Sequence, residues 1–65
     1  MNIHCNEEPA EILSENLASA LVELGYESTH IATAVNGEFV PKRLWASTIL
    51  QSGDHVDVVA PMQGG

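Results

Sequence analysis

The amino-acid sequence predicts an α+β domain: one helix packed on one face of a single sheet, with elements in the order β-β-α-β-β-β. Three observations predict it. Only one segment carries a helical stripe, with Leu17, Ala20, Leu21 and Leu24 at i, i+3, i+4 and i+7. Most other apolar segments alternate with a period of two, the signature of half-buried strands. Turn residues separate them at short intervals, Asn36-Gly37 and Ser52-Gly53-Asp54 above all. A lone helix with a single apolar stripe must bury it against one sheet face.

The elements follow in order. MNIHCN alternates, with Ile3 and Cys5 on one face and Asn2 and His4 on the other. Glu7-Glu8-Pro9 reads as a turn, and EPAEIL as a return strand. Pro9 cannot donate to a ladder, which assigns that strand to an edge. SENLASALVELG is the helix. Ser14 or Asn16 is placed to cap it, and Gly25 follows the last leucine where a left-handed residue ends helices. HIATAVN is a strand with Ile31, Thr33 and Val35 on one face. Asn36-Gly37 turns it, because both residues tolerate positive φ. EFV returns and stops at Pro41. KRLWASTIL reads as one helical turn and then a loop. HVDVVAP is the final strand, with Val56 and Val58 inward. Asn2, His4, Ala32, Ala34, His55 and Asp57 are expected on the water-facing side of the sheet. Residues 1–61 form the domain and 62–65 a flexible C-terminal tail.

Composition restricts the function. A 65-residue chain is one small domain. It buries only about 60% of its unfolded surface, too little to wall a deep catalytic cleft. The reading is therefore a module that works through a larger partner and is not itself an enzyme. The net charge is −7, with Lys42 and Arg43 the only strong bases. Such a field repels phosphate backbones and anionic membranes and steers the domain towards basic protein surfaces. A single cysteine, Cys5, excludes an internal disulfide, and no segment approaches the roughly 20 apolar residues of a membrane span. With no signal peptide in evidence, the expected address is the cytoplasm.

The chain closes on APMQGG. Glycine has no side chain to pack and permits almost any backbone conformation. Met62, Gln63, Gly64 and Gly65 extended reach about 13–14 Å, enough to thread a narrow tunnel in a partner. Gly64 and Gly65 place no Cβ against its walls. The chemistry available at Gly65 is that of a carboxylate. It can attack the α-phosphate of ATP with loss of pyrophosphate, and a sulfur nucleophile can then displace AMP from the acyl-adenylate. The product is a thiocarboxylate or a thioester, and neither requires a catalytic group in this chain.

Three stretches, NLASALVELG, AVNGEFVPKRLW and GDHVDVVAPMQGG, resemble the ThiS family of sulfur carriers within the ubiquitin-like β-grasp superfamily. The resemblance runs the whole length, and VNGE-x-VP followed by a basic residue and Trp45 is its most discriminating part. Lys42 departs from it by standing where arginine is more usual. The resemblance implies a mixed sheet with the last strand central. It implies that a ThiF-like adenylating enzyme, using Mg-ATP, activates Gly65. Sulfur from a cysteine desulfurase persulfide then replaces AMP, and the thiocarboxylate supplies thiazole synthase, ThiG. No cofactor is expected on this chain. Other readings of the same tail are a molybdopterin synthase small subunit, a ubiquitin-like modifier forming isopeptide bonds, and an interaction module with an idle end.

The remaining chemical side chains have plain structural readings. Cys5 shares a strand face with Ile3 and is expected to pack in the core. His4, His30 and His55 lack ligand spacing and are expected to be exposed. Glu7, Glu8, Glu11 and Glu15 form a solvated acidic face or a steering surface. Trp45 covers an end of the core. Phe39 and Met62 are candidates for partner docking, since interfaces favour aromatics and methionine.

Overall fold

A computed structural model describes residues 1–26 and 30–60. Its strands are β1 (Asn2–Cys5), β2 (Glu8–Glu11), β3 (Ala32–Val35), β4 (Glu38–Val40) and β5 (His55–Val59). The helix α1 (Leu17–Glu23) lies between β2 and β3, and a 3₁₀ helix (Lys42–Ser47) lies between β4 and β5. The five strands form one sheet in the order β2-β1-β5-β3-β4. β5 runs parallel to β1 and antiparallel to β3, so the sheet is mixed.

Two hairpins supply the outer pairs. In the second, Asn36 and Gly37 have φ of 52° and 84°, the left-handed pair of a type I′ turn. The first differs from the sequence reading. It turns at Asn6-Glu7, with φ of 52° and 69°, and Glu8 and Pro9 already belong to β2. Asparagine tolerates the left-handed region through its short polar side chain, and that lets the turn form without glycine. β2 is an edge strand, as Pro9 requires.

Asn16 caps α1: its Oδ1 accepts from the Ser19 amide at 2.8 Å. Ser14 has another role. Its amide and hydroxyl donate to the Glu23 carboxylate, which also accepts from the Leu13 amide. Glu23 thus ties the end of α1 to the segment before it. The Leu13 amide, followed by the Ser14 groups, holds the Glu23 carboxyl below its ordinary value of 4.5. Gly25 follows the helix at φ 91°.

Leu17, Ala20 and Leu21 of α1 meet Ile3, Ile12, Trp45, Leu50, Val56 and Val58 in the core. Truncating one such buried leucine costs about 2–5 kcal/mol. Leu24 packs at the margin. Thr33 is the buried polar residue among the described residues, and its hydroxyl donates to the Val40 carbonyl at 3.1 Å. The same carbonyl accepts from Trp45 Nε1 at 3.0 Å, which fixes the buried indole within the core.

Lys42–Ser47 is longer than a single turn and is wholly 3₁₀. The chain then continues into an antiparallel bridge between Asn16 and Ile49. There the Leu17 amide donates to Thr48 and the Leu50 amide to Glu15. One amide at the start of α1, which no intrahelical carbonyl can satisfy, is paired in this way. Leu50 is set into the core while Ile49 faces outwards.

Candidate functional site

Met62, Gln63, Gly64 and Gly65 lie outside the described residues, as does Pro61. The structure places the base from which they continue. β5 occupies the middle of the sheet, with two strands on either side. Val56 and Val58 point into the core, while His55, Asp57 and Val59 stand on the opposite, open face.

Both ends of β5 are clamped by turn asparagines. At its start, the Asn36 amide donates to the His55 carbonyl at 2.7 Å and Asn36 Oδ1 accepts from the His55 amide at 2.9 Å. Near its end, the Asn6 amide donates to the Val56 carbonyl at 2.9 Å and Asn6 Oδ1 accepts from the Val58 amide at 2.8 Å. Asn6 Nδ2 donates to Tyr26 Oη at 3.3 Å. Each asparagine is thus a turn residue that also extends the β5 ladder. The sequence signal for Asn36 lies in its Asn-Gly pair. Asn6 has a weaker one, Asn-Glu, and its role goes unread from sequence.

The open face beside the end of β5 has a shallow floor. Ala34 registers with both Phe39 and Asp57, and Ala32 with Val59. The small alanines leave Phe39, 68% exposed, and Val59, 60% exposed, standing over this floor. Phe39, the docking candidate, is therefore exposed on the same face as Val59. Met62, its sequence companion, lies outside the described residues.

The other chemical side chains are placed as follows. Cys5 is half-buried against the core, with Sγ 3.8 Å from Tyr26 Oη. That contact, with burial adding to it, raises the Tyr26 hydroxyl above its ordinary value. His30 is exposed, but His4 is only half-exposed, a correction to the sequence reading. Parallel pairing sets His4 directly beside His55, and the two rings stack with centroids 4.6 Å apart and an interplanar angle of 11°. The stack covers His4 Nδ1, which has no hydrogen-bond partner among the described residues. Those residues contain no group of three or more His, Cys, Asp or Glu able to hold a metal. Glu7, Glu8, Glu11 and Glu15 are all exposed. No helix among the described residues is long and apolar enough to cross a membrane.

A mixed sheet holding one helix on one face, with its last strand central and leading to the chain's end, defines a domain of the ubiquitin-like β-grasp class. The sequence profile of the ThiS family matches residues 3–65, and the chain belongs to that family. It is similar to the crystal structure of a thiamine biosynthesis protein, ThiS, from Geobacter metallireducens, with a TM-score of 0.85, 25% identity and 100% coverage of both chains. It is also similar to the solution NMR structure of a thiamine biosynthesis protein from the same organism. There the TM-score is 0.78 at 25% identity, covering 100% of this chain and 88% of the other. Among curated proteins, none matches the sequence significantly.

Proposed function

We propose that this chain is a sulfur carrier of thiamine biosynthesis, loaded at the Gly65 carboxylate. The observation that carries the reading is a family match that extends through residue 65 and so includes the Gln63-Gly64-Gly65 end. The central, doubly clamped β5 supports it, because a rigid strand fixes the point from which the end is presented.

A carboxylate oxygen of Gly65 attacks the α-phosphate of ATP on a ThiF-like adenylating enzyme, and pyrophosphate leaves. Mg-ATP belongs to that partner. The terminal sulfur of a cysteine desulfurase persulfide attacks the acyl-adenylate carbonyl, and AMP leaves. A thiol then cleaves the S–S bond of the resulting acyl disulfide, which leaves the thiocarboxylate on Gly65 and a disulfide on the sulfur donor. The thiocarboxylate at Gly65 is delivered to ThiG, the thiazole synthase. Gly64 and Gln63 thread the partner's tunnel, and Gly64, without a Cβ, passes its narrowest part. Phe39, and Met62 close to the end, contribute apolar contact to the same encounter. The chain acts as a cosubstrate in the cytoplasm; the groups that catalyse each step belong to its partners.

The test is intact-mass spectrometry after incubation with the adenylating enzyme, ATP and a sulfur donor. The expected product gains the mass difference of one sulfur for one oxygen. A chain lacking Gly65, or amidated at the C-terminus, is expected to remain unloaded while keeping its fold. Equal loading of the shortened chain would overturn the reading. Co-purification with a thiazole synthase, and not with a molybdopterin synthase large subunit, assigns the pathway.

A further inference from the structure

The exposed large apolar side chains among the described residues are Leu13, Val22, Phe39, Leu44, Ile49 and Val59. Three of these six, Phe39, Leu44 and Ile49, line a single open groove of about 440 Å³. The groove runs between the β3–β4 hairpin and the segment that joins the 3₁₀ helix to β5. Val35 and Val40, which pack against the core, also line it. Ile49 is 62% exposed although its neighbour Leu50 is buried, so the bridge to Asn16 seats one side chain and presents the other.

The charges on this groove have one sign. Glu38 and Asp54 line it, and neither Lys42 nor Arg43 does. The Asp54 carboxylate is held in place, accepting from Asn36 Nδ2 at 3.1 Å and from the Gln51 amide at 2.9 Å. A fixed carboxylate loses little freedom when a cation approaches it, so less of the contact is offset by ordering.

The geometry points to a docking site for a segment of a partner protein that presents an aliphatic or aromatic side chain beside an arginine or lysine. The apolar group packs between Leu44 and Ile49 beside Val35 and Val40, with Phe39 at the strand edge, and the base meets Glu38 and Asp54. A second copy of this chain is disfavoured on charge. It would bring together two molecules of net charge −7, each with only two strong bases.

The groove adjoins Asn36 and Asp54, at the start of β5. The chain continues past the far end of that strand, where Val59 is about 17 Å from Asp54 over five steps. A partner held here keeps the domain in place without obstructing the C-terminus, and two linked contacts raise the effective concentration of the second. The inference rests on the carrier reading only in supposing that a protein handles the chain's end.

The test uses the full chain, labelled with ¹⁵N, and a capped pentapeptide of sequence Ala-Arg-Leu-Arg-Ala. Saturable amide shifts are expected at Glu38, Leu44, Ile49 and Asp54. Peptides with Glu in place of Arg, or Ser in place of Leu, are expected to produce none. Ile49→Ser and Glu38→Lys both change exposed residues, and each is expected to weaken binding by about fivefold or more. No saturable shift at millimolar peptide, equal shifts from the acidic peptide, or shifts centred on Ala34 and Asp57 would overturn the proposal. So would sedimentation showing a dimer that Ile49→Ser dissociates. Peptide binding without loading at Gly65 removes the carrier reading and leaves the groove, and loading without peptide binding does the reverse.

Discussion

Replacing Asn6 tests how β5 is anchored. Asn6→Ala removes the acceptor for the Val58 amide, 2.8 Å away, and the donor to Tyr26 Oη. An amide of the central strand left without its partner costs about 1–3 kcal/mol. Alanine must also hold φ near 52°, a left-handed conformation costing about 1–2 kcal/mol for a residue with Cβ. The sum is about 2–5 kcal/mol. At roughly 0.05–0.15 kcal/mol per residue, a domain of this size has only about 3–10 kcal/mol in total. Asn6→Gly separates the two contributions, since glycine accepts the φ but lacks the acceptor. It is expected to cost about 1–2 kcal/mol, with alanine about 1 kcal/mol worse. Urea unfolding measures both, and hydrogen exchange at the Val58 amide locates the loss. If Asn6→Gly matches the parent within about 0.5 kcal/mol and Val58 stays fully protected, the clamp is not holding β5 and the reasoning fails.

Other outcomes follow from the same geometry. Glu23 has a depressed carboxyl in the folded chain, so its contribution to stability is present above pH 4.5 and is lost as pH falls through the folded value. Glu23→Gln should therefore be less stable than the parent near neutrality, and the difference should shrink on acidification; a constant difference across acid titration of the unfolding free energy would refute this. Glu7→Gly relieves a left-handed glutamate at φ 69° and is expected to stabilise by about 0.5–1 kcal/mol. Gly37→Ala meets no atom within 4 Å but must hold φ at 84°, so it should destabilise by about 1 kcal/mol. Thermal unfolding reads both, and the same sign for both would contradict the turn geometry. Thr33→Val removes one of two donors to the Val40 carbonyl and keeps Trp45 Nε1, so about 1 kcal/mol is expected in urea. Phe39→Ala should leave stability within about 0.5 kcal/mol of the parent, because the ring is exposed. In steady-state loading it should raise KM and leave kcat unchanged.

The sequence by itself determined the element order, the inward faces and one edge. The Leu17-Ala20-Leu21 stripe, the Val56-Val58 alternation, Pro9 in β2 and the Asn36-Gly37 turn are each local, since period, missing donor and permitted φ are properties of a few neighbouring residues. It also carried the Gln63-Gly64-Gly65 end and its carboxylate chemistry, because that chemistry resides in covalent structure and needs no fold. The tertiary structure alone decided that His4 stacks on His55, that Asn6 completes the β5 ladder, and that Phe39, Leu44 and Ile49 share one groove with Glu38 and Asp54. Those groups are brought together by the parallel crossover from β1 to β5 and by the return of the 3₁₀ segment against α1. Contacts made across such separations depend on the register of whole strands, which packing of the sheet and helix selects and which no local pattern encodes.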